Sequence, residues 1–91
     1  MLYVIAYDIA DDGRRQQVAR FLEGWGRRVE KSVFECNVSR EQVREIVAHL
    51  RTLVVDPEDR CHVYRVCSEC VSHRLVIGEE LEPSWPNVVV V

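Results

Sequence analysis

The run from Leu2 to Tyr7 constrains this chain most. Its two alternating faces, Leu2/Val4/Ala6 and Tyr3/Ile5/Tyr7, are both apolar or aromatic, and the run stops at Asp8. A strand of that kind lies inside a sheet and needs cover on both sides. At 91 residues the chain is too short to divide into two stable cores, so a single domain is expected, with a core over residues 1–67 and a C-terminal extension over 68–91.

The next segments supply one layer of cover. Asp11-Asp12-Gly13 reads as a turn and helix cap, with carboxylates suited to the positive end of a helix. Val18, Phe21, Leu22 and Trp25 then recur at helical spacing until Gly24 and Gly26 close the helix. Arg27 to Val38 reads as strand, with Phe34, Cys36 and Val38 on one face and no Gly or Pro to divide it. Ser39-x-x-Gln42 forms a capping box, and Val43, Ile46, Val47, Leu50 and Val54 continue a second helix that Pro57 ends. Cys61 to Cys67 predicts another strand. Ser68 to Pro86 reads as an irregular, acidic connection with a short strand at Arg74 to Ile77, and Val88 to Val91 as a terminal strand.

This order predicts a two-layer α+β sandwich, an antiparallel sheet with both helices on one face. The second apolar face of the first strand is then uncovered, and a homodimer supplies the missing layer. The terminal valines make the same case, because an open edge of that composition invites aggregation unless it pairs with a sheet, including a partner's.

Charge limits the function classes. The formal net charge of −3 and pI near 5.6 argue against a basic nucleic-acid coat. The basic groups lie early, however: residues 1–40 hold seven Lys/Arg against six Asp/Glu, and residues 41–91 hold five against nine. No apolar run approaches the roughly 20 residues that span a bilayer, and Asp8 interrupts the N-terminal run too soon for a signal peptide, so a cytoplasmic protein is expected with no membrane partner. Cys36, Cys61, Cys67 and Cys70 accordingly read as thiols. Cys67-x2-Cys70-x2-His73 invites comparison with zinc sites, with Cys61 or His62 as a fourth ligand. Zinc modules normally bring two separated ligand pairs, so no structural zinc is expected.

Asp8 stands where a buried strand meets a loop, which anchors a carboxylate rigidly yet leaves it facing solvent. Asp8, Asp11 and Asp12 together could hold Mg2+ or Mn2+, although capping is the favoured reading for Asp11 and Asp12. Arg14 and Arg15 open the first helix and Arg27 and Arg28 follow its end, two pairs able to meet phosphate. His49, His62 and His73 have no triad context with Ser32, and no glycine-rich phosphate loop occurs.

Tyr7-Asp8-Ile9-Ala10-Asp11-Asp12 with Arg14-Arg15, then Gly26-Arg27-Arg28-Val29-Glu30-Lys31-Ser32-Val33-Phe34-Glu35-Cys36, and later Asp59 to Cys67, together resemble the small CRISPR-associated protein two family over almost the whole chain. Glu30 departs from the family's usual glutamine. The resemblance implies a ferredoxin-like fold in which Arg27 to Val38 divides into two strands, and a face-to-face homodimer with the C-terminal strand added across the interface. It also implies partnership with the CRISPR integrase, protein one, on double-stranded DNA during spacer acquisition. A further implication is Mg2+- or Mn2+-dependent endonuclease activity on RNA or DNA, with Asp8 as the metal and catalytic carboxylate from each protomer. Two alternatives stand beside it: a non-catalytic adapter that positions DNA through Arg14, Arg15, Arg27 and Arg28, and a small-ligand regulatory domain on the same fold.

Overall fold

A computed structural model describes residues 1–78 and the backbone of 89–90. The element order is β1 (Leu2–Asp8), α1 (Asp12–Glu23), β2 (Arg27–Glu30), β3 (Val33–Asn37), α2 (Arg40–Leu53), β4 (Arg60–Val66), α3 (Ser68–Val71), β5 (Leu75–Val76) and β6 (Val89–Val90). Four strands form one antiparallel sheet in the order β2-β3-β1-β4, the ferredoxin-like arrangement of two split β-α-β units. The two-faced β1 is central, as its composition requires.

Register and alternation assign the faces. Tyr3 lies opposite Cys36, Ile5 opposite Phe34 and Val63, and Tyr7 opposite Cys61. Tyr3, Ile5, Tyr7, Phe34 and Cys36 form one core cluster with Val18 and Leu22 of α1 and Ile46 and Leu50 of α2, so both helices cover the same face. Each starts where its capping residues dictate. Asp11 accepts the Arg14 backbone N–H, and Ser39 and Gln42 exchange both bonds of a capping box.

The other face carries Leu2, Val4, Ala6 and Asp8 of β1, Val33 and Glu35 of β3, and Arg60, His62 and Tyr64 of β4. At the Leu2 end the chain beyond β4 folds back: Val71 is buried and Arg74 pairs with the buried Glu35. Toward the Asp8 end the face is open, with Arg60, His62 and Tyr64 exposed. His62 Nδ1 and Tyr64 Oη share a hydrogen bond of 2.8 Å across this surface.

The stretch from Arg27 to Val38 is two strands, with Lys31-Ser32 as the turn. Ser68 to Val71, expected to be irregular, forms the single helical turn α3. The expected strand around Arg74 to Ile77 is the short β5, which pairs in parallel with β6 in a separate two-stranded ribbon. Val88 and Val91 of the expected terminal strand lie outside the described residues, as does the remainder of the acidic connection, residues 79–87.

Candidate phosphodiester site

The three carboxylates singled out in the sequence separate in the structure. Asp11 is consumed as the N-cap of α1, and Asp12 pairs with Arg15. Asp8, at the end of β1, is exposed, and no hydrogen bond or ion pair to its side chain occurs among the described residues. It faces the open side of the sheet, opposite Arg60 of β4. Its backbone is well fixed: the preceding Tyr7 is buried, the Tyr7 N–H bonds the Ser32 carbonyl at 3.0 Å, and Ile9 on the other side is fully buried. A rigid strand end thus presents one carboxylate to solvent.

Asp8 also stands at the rim of an open groove of about 880 Å³ between α1 and the β2–β3 turn, whose lining includes Arg15, Arg20, Arg28, Lys31 and Ser32. Two of the four arginines read from the sequence therefore share a surface with Asp8. Arg15 donates to the Ile9 carbonyl at 3.0 Å and pairs with Asp12, yet its side chain is still 44% exposed. Arg28 donates through Nε and Nη2 to the Lys31 carbonyl and lies over the Phe34 ring, 5.6 Å from its centroid. Both brace the loops that flank Asp8 while leaving charge in the groove.

Arg14 and Arg27 lie elsewhere. Arg14 reaches the α2–β4 loop, where Nη2 is 2.9 Å from Asp59 Oδ2 and 3.9 Å from Asp56 Oδ2. Arg27 sits half-buried opposite Glu35, on the sheet face away from the helices. Glu30 lines the groove.

Asp59 is the residue that sequence reasoning missed. Its Oδ1 accepts the Ala10 N–H at 3.1 Å, and its Oδ2 accepts from Arg14 and from the Asp56 N–H. These bonds tie the loop after Asp8 to the loop before β4. Burial works against the Asp59 charge, but the Ala10 and Asp56 N–H groups and the Arg14 guanidinium outweigh it and hold the carboxyl below the usual carboxylate range. An aspartate two residues after Pro57 reads as an ordinary loop residue; only its place just before a strand pairing with β1 hints that it reaches the β1–α1 loop.

No group of three or more His, Cys, Asp or Glu side chains suited to a metal occurs among the described residues. A lone carboxylate fits a hard cation that keeps most of its waters. Asp8 is the residue that would hold such an ion, and its lack of a partner among the described residues leaves both oxygens available. Among the described residues no helix is long and apolar enough to cross a membrane.

Comparison with known proteins agrees with this architecture. The chain is 42% identical over 84 residues to the CRISPR-associated endoribonuclease Cas2 1 of Chloroflexus aurantiacus, covering 91% of this chain and 90% of that protein. The structure resembles that of a hypothetical protein from Thermus thermophilus with a TM-score of 0.70 and 37% identity, over 74% of this chain and 82% of the other. It also matches a chain of a partial Cas6-RT-Cas1–Cas2 complex with a TM-score of 0.67 and 24% identity, over 79% of this chain and 84% of that one. The model of the family described as CRISPR associated protein Cas2 matches residues 1–74, which take in the whole four-stranded sheet, both covering helices and the strand end that carries Asp8. With four-fifths of its length and its central sheet accounted for in this way, the chain belongs to the Cas2 family.

Proposed function

We propose that this protein is a cytoplasmic, metal-dependent endonuclease of CRISPR adaptation that acts as a homodimer, together with the integrase Cas1, on phosphodiesters of RNA or duplex DNA. The observation that carries this reading is Asp8: an exposed carboxylate without a partner among the described residues, fixed at a rigid strand end, beside a groove lined by Arg15, Arg28 and Lys31. The endoribonuclease name of the Chloroflexus relative supports the reaction class, and the Cas1–Cas2 complex among the structural neighbours supports the partner.

Two copies packed through the open sheet face bring the two Asp8 side chains toward one site, because Asp8 lies on that face. The terminal strand then adds to the partner's sheet, where β4 offers an outer edge. Arg15, Arg28 and Lys31 hold backbone phosphates by charge and hydrogen bonding, and the Asp59–Arg14 clamp keeps the loop beyond Asp8 from drifting. Asp8 would hold Mg2+ or Mn2+, which when bound would supply neutralisation of charge developing on the phosphodiester.

Asp8→Asn preserves size and removes the charge on which metal affinity rests. With Mg2+ or Mn2+ present, cleavage of single-stranded RNA and duplex DNA is expected to fall at least about a hundredfold, with salt-sensitive DNA binding retained. Equal cleavage by highly purified wild-type and variant protein overturns the catalytic role of Asp8. A second reading, a non-catalytic adapter that positions DNA for the integrase, is favoured by one specific observation: no metal-binding cluster is complete within the described residues of one chain. Retained spacer insertion by Asp8→Asn, with no cleavage by either protein, supports that reading alone.

A further inference from the structure

At the end of β4 the chain enters α3 through Cys67, which is the N-cap of that single turn. The Cys67 backbone is extended, at φ −68° and ψ 160°, and its Sγ accepts the Cys70 N–H at 3.4 Å. That bond sets the two residues side by side across one helical turn. Both are exposed, whereas Cys36 is buried beneath the helices and Cys61 is half-buried. A spacing of three across one helical turn, a first sulfur turned over the second residue's amide, and access to solvent are what an exchanging dithiol requires.

The hydrogen bonds also give the two sulfurs different roles. Donation from the Cys70 backbone and thiol holds Cys67 below the ordinary thiol range, and the same contact pushes Cys70 up. Burial, reinforced by Glu35, pushes Cys36 up to about 11, and burial likewise raises Cys61. The thiolate is the nucleophile in exchange chemistry, so Cys67 attacks and Cys70 resolves.

We propose that Cys67 and Cys70 form a redox-active dithiol whose co-substrate is a low-molecular-weight disulfide. The Cys67 thiolate bonds to one sulfur of the disulfide, the bond between its two sulfurs breaks, and the departing thiolate takes up the proton that Cys67 released. Cys70 then loses its proton and attacks the Cys67 sulfur of the mixed disulfide, and the second small thiol leaves with that proton. Two protein thiols are oxidised to one disulfide, and one small disulfide is reduced to two thiols. The new bond closes the turn that leads from β4 to the segment held by buried Val71 and by the Arg74–Glu35 pair. Neither sulfur takes part in the Asp8 site.

The test is to equilibrate the protein at a series of glutathione disulfide-to-thiol ratios, trap it with an alkylating agent after denaturation, and map the peptides. Cys67 and Cys70 are expected to leave the alkylated pool together, at one midpoint and joined within one chain, while Cys36 and Cys61 stay alkylated. Cys70→Ser should stop at a mixed disulfide on Cys67. Cys67→Ser, in which serine keeps the capping role, should react about tenfold more slowly, because only the higher-pKa thiol remains. Full alkylation of both thiols at every ratio, a bond to another cysteine, equal reactivity of the two variants, or stoichiometric zinc in metal analysis of the native protein would each overturn the proposal.

Discussion

Single residues hold the parts of this molecule that composition conceals. Gly26 lies between α1 and β2, where a Cβ would come within 2.9 Å of the Cys36 Cα and nearer still to the Glu35 carbonyl oxygen. Backbone atoms of a central strand cannot yield, so Gly26→Ala is expected to cost about 1–3 kcal/mol through overpacking. Urea unfolding followed by circular dichroism measures this, and an unchanged midpoint would contradict the close approach. Asp8, Asp11 and Asp12 teach a related lesson. The sequence offers three carboxylates within residues 8–12, and only the structure separates the cap and the ion pair from the one that stays available among the described residues. The position of Asp8 at the end of a two-faced strand was legible because alternation and the abrupt stop fix it. The division of labour among the arginines was not, because Arg14 finds its partners 42 and 45 positions along the chain, at Asp56 and Asp59.

Elements were legible where a periodic pattern and a cap agree. In α2 the helical repeat, the Ser39/Gln42 capping box and Pro57 all point the same way. The β2–β3 hairpin was hidden from composition because its turn, Lys31-Ser32, contains neither Gly nor Pro. What holds that turn is side-chain bonding, locally from Arg28 and across the sheet from the Tyr7 hydroxyl, both donating to the Lys31 carbonyl. α3 was likewise hidden, because it is one turn capped by a cysteine. The clamp between the β1–α1 loop and the α2–β4 loop gives a pH prediction. The folded pKa of Asp59 is depressed, so the stability it contributes is fully present above the unfolded value of about 4 and is lost as pH falls through the lower folded value. Thermal melts of wild type and Asp59→Asn between about pH 2 and pH 7 should differ at neutral pH and converge in acid. A constant difference across that range would contradict the linkage.

At the scale of the molecule, the described residues finish the sheet on one side only. The helices cover Tyr3, Ile5, Tyr7, Phe34 and Cys36, and the opposite face toward Asp8 leaves Tyr64 54% exposed. A two-stranded ribbon such as β5–β6 is marginal in isolation, which supports a role for the terminal strand in joining a second copy. Removing residues 88–91 is therefore expected to weaken dimerisation, by loss of apolar area and main-chain pairing together. Light scattering at micromolar concentration checks this, and a truncated protein that dimerises as well as the full chain would contradict it. The two apolar faces of β1 are the sequence feature from which the expectation of a second layer comes.

The central claim is that each copy contributes one Asp8 to a shared cation site on that open face. Titration of the purified protein with Mn2+, followed by electron paramagnetic resonance of the unbound ion, tests it most directly. Binding of one tight ion per pair of chains, lost in Asp8→Asn while the dimer persists, is the predicted result. Mn2+ binding left unchanged by Asp8→Asn, or saturating at one tight ion for every single chain, would contradict it.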